Sequence, residues 1–367
     1  MLKRLHLRNF TVFEDTDFAF GPGLNVLVGT NGTGKSHVLK LGYSTEMART
    51  NINKASDLVK TPINSFGSAL AWSASLYKLL PNVFLSNQLS PLIRRGAAMR
   101  TVVKVFFGKT TATRLAFQII REEESGNQSM TSLKAETGET PLPQPTENVS
   151  PVFIPAKEVL TMGWLLPMYA LREVPIDQTY PDLLRLLPVL PLKSPEPAVA
   201  GILKRLHEII GGKVEEEGGR YYLAAPDQPR MEMNMVAEGM RKFATLYKLL
   251  ANGTLTPETT LFWDEPEANL NPALLKEMAA VLAELARAGF QIILATHSLF
   301  LLKELHILSQ KEKTPVRYFG LSTEAGGATQ VATADTLTDL PNLVALDVEI
   351  AQSDTFLDVL NQEDANV

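Results

Sequence analysis

The segment Gly29-Thr30-Asn31-Gly32-Thr33-Gly34-Lys35-Ser36 constrains the fold of this chain more than any other. It fits the pattern G-x-x-x-x-G-K-S/T, a loop whose successive backbone N–H groups turn inward around an anion. Gly29, Gly32 and Gly34 give the backbone the freedom that such a turn needs. The pattern carries weight only between a strand and a helix, and both are legible here. Apolar Leu24–Val28 precedes the loop, and a helical stretch from about Lys35 to Met47 follows it. A Gly-rich turn with an incidental lysine would need neither neighbour. The expectation is an α/β sheet whose ligand edge lies at this loop.

Two further apolar runs end in polar clusters. Leu261-Phe262-Trp263 leads into Asp264-Glu265-Pro266-Glu267, and Ile292-Ile293-Leu294-Ala295 leads into Thr296-His297-Ser298. Both read as buried parallel strands, whose carboxyl ends are where ligands bind. The chemistry that these residue types suit is hydrolysis of ATP with Mg²⁺. Lys35 is assigned to the β- and γ-phosphates, and Ser36 with Asp264 to the metal. Glu265 is assigned to the attacking water and His297 to the γ-phosphate. Thr30, Asn31 and Thr33 belong to the phosphate cradle, and His37 is placed at the α-phosphate. A helix cap before Pro272 is the plainer explanation of Asp264-Glu265, but a cap needs no apolar strand in front of it.

Leu2–Phe10 and Asp17–Phe20 read as strands, separated from the third by the turn Gly21-Pro22-Gly23. Thr101–Phe107 and Thr113–Ile120 alternate like a hairpin around Gly108-Lys109-Thr110, and polar Glu122–Val149 reads as a loop. Pro151–Pro155 resembles a short buried strand, and Leu160–Leu192 is apolar and punctuated by prolines. Pro197–Ile210 reads as a helix closed by Gly211 and Gly212, with a strand at Arg220–Ala225. Helices at Gly239–Ala251, Pro272–Ala288 and from Leu299 alternate with the two apolar strands. The expected division is a core of 1–48 and 231–367 interrupted by a lobe at 49–230.

Charge is unevenly placed. The chain carries −5 overall, yet Leu58–Arg121 has no acidic residue and nine basic ones: Lys60, Lys78, Arg94, Arg95, Arg100, Lys104, Lys109, Arg114 and Arg121. From Tyr318 to Val367 there are nine acidic residues and no Lys or Arg. The absence of cysteine leaves no disulfide and no thiolate metal site, which suits a cytoplasmic location. No apolar run approaches the roughly 18 residues of a membrane helix, and the N-terminus has no signal-peptide core.

Asn9-Phe10, the Gly-Thr-Asn-Gly-Thr-Gly-Lys-Ser loop, Asp-Glu-Pro-Glu-Ala-Asn-Leu-Asn-Pro and Ala-Thr-His-Ser, in that order, resemble the ABC-class ATPases of the RecF, Rad50 and overcoming-lysogenisation-defect group. The resemblance covers about 1–48 and 231–310. It implies an α/β, ABC-type P-loop NTPase head, with a central mostly parallel sheet, N-terminal antiparallel strands and an inserted lobe. It implies a homodimer closed by ATP, in which a signature segment reaches the partner's γ-phosphate. Val236-Ala237-Glu238-Gly239-Met240-Arg241-Lys242 stands at that place, with Gly239 and the cations Arg241 or Lys242 toward phosphate. Here Ala237 replaces the family's serine, Glu238 a glycine and Met240 the glutamine. Glu267, Asn269 and Asn271 match the segment that crosses the dimer in relatives. The glutamine after the middle strand is missing, and Lys157 and Glu158 stand there instead. These departures imply slow turnover.

Two roles for such an engine are expected. One is a gate for a partner effector, a nuclease or toxin, in anti-phage defence. About seventy residues follow His297, too few for the nuclease domain that overcoming-lysogenisation-defect proteins carry there, and the acidic stretch would offer a docking surface. The alternative is a RecF-like ATPase of DNA repair, touching DNA through the basic lobe 58–121. A transporter subunit is disfavoured by the altered signature, and a long-armed chromosome organiser by the lack of heptads.

Overall fold

The computed structural model describes residues 1–59, 65–96, 99–108, 113–123, 129–136, 149–323, 327–341, 351–353 and 355–359. Strands β1 (Leu2–Phe10) and β2 (Phe13–Ala19) form an antiparallel hairpin in which Leu5 opposes Phe18. Leu2, Leu5, Leu7 and Phe10 are buried, while Arg4 and Arg8 face out, the alternation expected of a sheet with one wet face. Strand β3 (Leu24–Gly29) is apolar on both faces and delivers the chain to the phosphate loop and α1 (Lys35–Val59). Helix α2 (Ser65–Phe84) packs back on α1.

Strands β4 (Arg100–Phe107) and β5 (Thr113–Glu123) form the expected hairpin, and β4 pairs antiparallel with β1. Lys109 at its tip lies outside the described residues. The polar segment 122–149, expected as a loop, contains instead a strand, β6 (Ser129–Glu136), paired along β5. It is the edge strand of its sheet and sends Leu133 into the core, so its composition stays polar. The sheet order is β2-β1-β4-β5-β6.

The chain then runs through β7 (Val152–Ile154), α3 (Leu165–Leu171), α4 (Thr179–Leu186) and α5 (Pro197–Ile210). Gly211 ends α5 in the left-handed conformation, φ 73°. A small antiparallel sheet follows from β8 (Lys213–Glu217), β9 (Arg220–Ala224) and β10 (Met231–Glu232). The chain continues with α6 (Glu238–Ala251), β11 (Thr260–Asp264), α7 (Pro272–Arg287), β12 (Gln291–Thr296) and α8 (Leu299–Glu312). It closes with β13 (Val316–Thr323) and β14 (Thr329–Ala334).

The main sheet has the order β14-β13-β3-β12-β11-β7, parallel except for β14. Its inner strands β3, β12 and β11 are buried on both faces because each face has its own core, and the period of two sorts the side chains between them. Leu261, Trp263, Ile292, Leu294, Val26 and Val28 join the core under α5–α8. Phe262, Ile293, Ala295 and Leu27 join the core shared with α1, α2 and the antiparallel sheet. Segment 49–230, expected as a lobe between two pieces of core, is interleaved with both sheets: β4–β6 extend the one that β1 begins, and β7 is a strand of the other. Short strands in a weakly patterned segment gave no sign of their distant partners. Likewise β13 and β14 occupy part of the acid-rich stretch expected as a docking surface, and Asp335 there pairs with Arg317 at 2.9 Å.

Phe262 tests this two-core arrangement. Its ring is fully buried, lies edge-on to Tyr43 and leaves no room for a Cβ on Gly42, which would come within 2.7 Å. Phe262→Ala is expected to cost about 3–5 kcal/mol, measured as a lowered urea midpoint with unchanged slope.

Candidate functional site

The carboxyl ends of β3, β12 and β11 lie side by side, and the three sequence clusters meet there. Thr30, Asn31 and Gly32 form the exposed crown of the loop, while Thr33 folds in and bonds the Thr30 carbonyl. Gly34 has φ 91°, and a Cβ on it would stand 2.6 Å from Val12 and 2.8 Å from Phe13. Only glycine serves there, for conformation and space alike. Gly29 is equally pressed, since a Cβ would meet the Leu321 carbonyl at 2.3 Å. Lys35 is buried under the loop, and its Nζ donates to the carbonyls of Gly29 (2.7 Å) and Thr30 (3.0 Å). Burial lowers its pKa against the pull of Glu265, Asp264 and Glu267.

Ser36 and Asp264 are 228 positions apart and hydrogen-bonded, Oγ to Oδ1, at 3.1 Å. Burial raises the pKa of Asp264, an effect that Ser36 opposes and Glu265 reinforces. A hydroxyl and a carboxylate placed together beside the phosphate loop are the oxygen donors that Mg²⁺ takes when it keeps most of its waters. Glu265 follows in left-handed backbone, φ 47°, with its N–H on the Ala295 carbonyl. His297 Nδ1 lies 3.2 Å from Glu265 Oε1 and 3.6 Å from Glu267 Oε1, and its side chain is half exposed toward the same edge.

Other assignments change. Glu267 is buried within its own chain, where Oε1 accepts from the Thr296 hydroxyl (2.6 Å) and from the N–H groups of His297 (3.0 Å) and Ser298 (3.3 Å). It braces the end of β12, with its carboxylate engaged inside its own chain. Asn271 caps α7, accepting from Leu274 N–H at 2.9 Å, so the helix cap that competed for Asp264-Glu265 belongs here. Asn269 is exposed, with φ 64°. At the start of α6, Gly239 packs against the Asn269 carbonyl. Arg241 is spent within the chain: Nη1 on Glu158 (2.8 Å), Nε on the Val236 carbonyl (2.8 Å) and Nη2 on the Asn234 carbonyl (2.9 Å). It is thus a bracket from α6 to the segment after β7, held by partners that no local pattern announces, and not a cation free for phosphate. Glu158 is its counterpart, whereas Lys157 is exposed.

Lys242 also turns inward, 2% exposed, with Nζ on the Glu265 carbonyl at 2.8 Å. Burial pushes its pKa down to about 8, against Glu267, Glu238, Glu265 and Asp264. Between about 8 and the ordinary lysine value the unfolded chain binds more protons than the folded one. Stability from this group therefore rises with pH across that window. Replacing Lys242 with Met is expected to abolish that rise, roughly 2 kcal/mol between about pH 8 and about pH 10, read as urea midpoints compared at those two values.

His37 sits at the flank of the loop, against the Phe84 ring at 5.7 Å, and lines a cavity of about 510 Å³ with Thr11, Gly32, Arg94 and Arg95. His37 Nδ1 and Thr11 Oγ1 are buried there without a hydrogen-bond partner among the described residues. Burial, aided by Lys40, lowers the His37 pKa, so the ring is neutral at pH 7. Sequence reasoning missed Thr11 and Phe84 because the elements that carry them meet the loop only through the fold. It also missed Lys40, one helical turn beyond Ser36 and paired with Asp177 at 3.1 Å, whose position its spacing on α1 would have given.

Residues 155–303 match a family model described as "AAA domain, putative AbiEii toxin, Type IV TA system", and residues 4–142 match one described as "AAA domain". A stretch of 49 residues is 43% identical to the DNA replication and repair protein RecF of Ligilactobacillus salivarius. A stretch of 43 residues is 49% identical to the protein of that name from Edwardsiella ictaluri. These stretches cover 13% and 12% of this chain, and the same shares of the two relatives. The head domain of Smc from Pyrococcus furiosus, solved with an extended coiled coil bound to the C-terminal domain of ScpA, superposes with a TM-score of 0.52. That likeness, at 12% identity, covers 98% of this chain and 99% of the other, and it is a likeness of fold.

Proposed function

Since the chain carries an ABC-class ATPase head of the RecF/Rad50-like group, we propose that it binds ATP with Mg²⁺ at the 29–36 loop, closes on a second copy and hydrolyses the nucleotide slowly. The observation that carries this is the meeting of Ser36 with Asp264, beside Glu265 and under the loop that holds Lys35. A divalent cation on Ser36 and Asp264 would neutralise charge on the phosphate oxygens. Lys35 exchanges its loop carbonyls for phosphate oxygens, and Glu265 accepts the proton of the attacking water. His297, against Glu265 on one side, donates toward the terminal phosphate and registers its departure. Turnover is slow because Ala237, Glu238 and Met240 weaken the signature and Arg241 is engaged with Glu158. No helix among the described residues is long and apolar enough to cross a membrane.

The load of this engine is a partner effector, a nuclease or toxin acting in anti-phage defence in the cytoplasm, which reads the closed dimer. The model matching 155–303 is described with a putative toxin of a Type IV TA system, which supports a defence setting for the matched segment itself; the partner follows from the reading of the head as a gate. Phosphate release from ATP by the purified chain tests the enzymatic core: turnover with Mg²⁺ that stops with a chelator is the expected result, and none under either condition would remove it.

A second reading, a RecF-like DNA-binding ATPase, is favoured by one observation. Arg8 on β1 and Arg100 on β4 are exposed on the antiparallel sheet, and Lys104 on β4 is partly so. Arg94 and Arg95 line the cavity, however, and Lys78 stands on α2, so the basic stretch is divided among separate places. Lys60, Lys109 and the Arg114 side chain lie outside the described residues. Duplex affinity that falls steeply with salt, and with Arg8→Ala and Arg100→Ala, would favour this reading; salt-indifferent binding would dismiss it.

A further inference from the structure

Helix α6 touches the loop between β11 and α7 at two points, and at each the loop holds a non-glycine residue in left-handed backbone. Glu265 has φ 47° and Asn269 φ 64°. Such conformations persist where the surroundings over-determine them. At the first turn of α6, a Cβ on Gly239 would stand 2.8 Å from the Asn269 carbonyl oxygen and 2.8 Å from Leu270 Cδ2, so the helix is seated on that turn. One turn later Lys242 Nζ donates to the Glu265 carbonyl oxygen at 2.8 Å, an oxygen that also accepts the Ala268 N–H at 3.2 Å. The Glu265 N–H is taken by the Ala295 carbonyl at 2.9 Å. Both backbone groups of Glu265 are therefore fixed from neighbouring elements, and its carboxylate is aimed at His297.

A buried ammonium is an expensive way to pack a helix against a loop; an apolar side chain of the same length would do so without desolvating a charge. What the lysine adds is a charge-assisted hydrogen bond to one particular carbonyl.

We propose that Lys242 is a positioning residue for hydrolysis: its bond from α6 to the Glu265 carbonyl holds the water-activating carboxylate in its working posture. The same bond ties that posture to α6, whose start the family resemblance implies to face the second copy's nucleotide. A displacement of α6 on closure reaches Glu265 of the same chain, so the two sites of a dimer are coupled through Lys242. This rests on the reading of Glu265 as the group that activates water.

The test compares wild type with Lys242→Met, Lys242→Gln and Lys242→Arg in steady-state MgATP hydrolysis, with thermal melting and equilibrium binding of a fluorescent ATP analogue alongside. Lys242→Met is expected to melt cooperatively and to bind the analogue as wild type does. Its kcat should fall by about tenfold or more with KM within about twofold, and Lys242→Arg should regain at least about a third of wild-type kcat. Wild-type kcat in Lys242→Met, a loss carried by KM, or no recovery with Arg would overturn the proposal. Should Lys242→Met fail to melt cooperatively, Lys242→Gln decides on the same criteria. A wild-type chain that turns over beside an unchanged variant removes the role of Lys242 alone, whereas absence of turnover in wild type removes the hydrolytic reading and this inference with it.

Discussion

Replacing Lys35 with alanine is expected to weaken ATP binding by about a hundredfold or more, the loss of one charge-assisted contact worth about 3 kcal/mol. Lys35 is 7% exposed and its ammonium is the positive charge set directly under the loop, on the Gly29 and Thr30 carbonyls. Truncation removes the cation that would face the phosphates, and that loss works against an anionic ligand. The folded chain should survive, because the remaining loop is fixed by steric demands at Gly29 and Gly34 that do not involve Lys35. Titration with a fluorescent ATP analogue gives the affinity, and wild-type affinity in Lys35→Ala would contradict the assignment of the loop.

Glu265→Gln is expected to act on the other side of catalysis. It should lower kcat by about a hundred- to a thousandfold, the range of a lost general base, while nucleotide affinity stays within about threefold. The amide has the size of the carboxylate and can keep a contact with His297 Nδ1, at 3.2 Å in the native chain. It cannot take a proton from water. The backbone at Glu265 is held through its own N–H and carbonyl, so the substitution leaves the loop in place. Single-turnover hydrolysis with saturating nucleotide separates the chemical step from release. A parallel loss of affinity and rate would mean that Glu265 holds the nucleotide and does not activate water.

The parts of the site that the sequence disclosed are those written in local backbone chemistry. Glycines at 29, 32 and 34 and the apolar runs before Asp264 and His297 announce strand ends, and strand ends of one parallel sheet must share an edge. That reasoning brought Ser36 and Asp264 together across 228 positions, as the structure does. It misplaced the residues whose work depends on a single distant partner. Arg241 has a basic side chain at a helix start, which suggests an anion, but Glu158, 83 positions away, takes it. Glu267 belongs to a motif associated with dimer contact, yet three donors at the end of β12 draw it inward. Lys242 is charged in sequence and buried in fact, which no hydropathy pattern conveys. In the fold, β6 was hidden because an edge strand with one wet face keeps a polar composition, and β4 gave no hint that its partner is β1.

The central claim, that nucleotide closes two copies and Glu265 reopens them, is tested most directly by light scattering of the chain in solution with MgATP. Glu265→Gln is predicted to double in mass with MgATP and to return to the single-chain mass when nucleotide is removed, while Lys35→Ala stays single throughout. A single-chain mass for Glu265→Gln with saturating MgATP, or a double mass for both variants regardless of nucleotide, would contradict it.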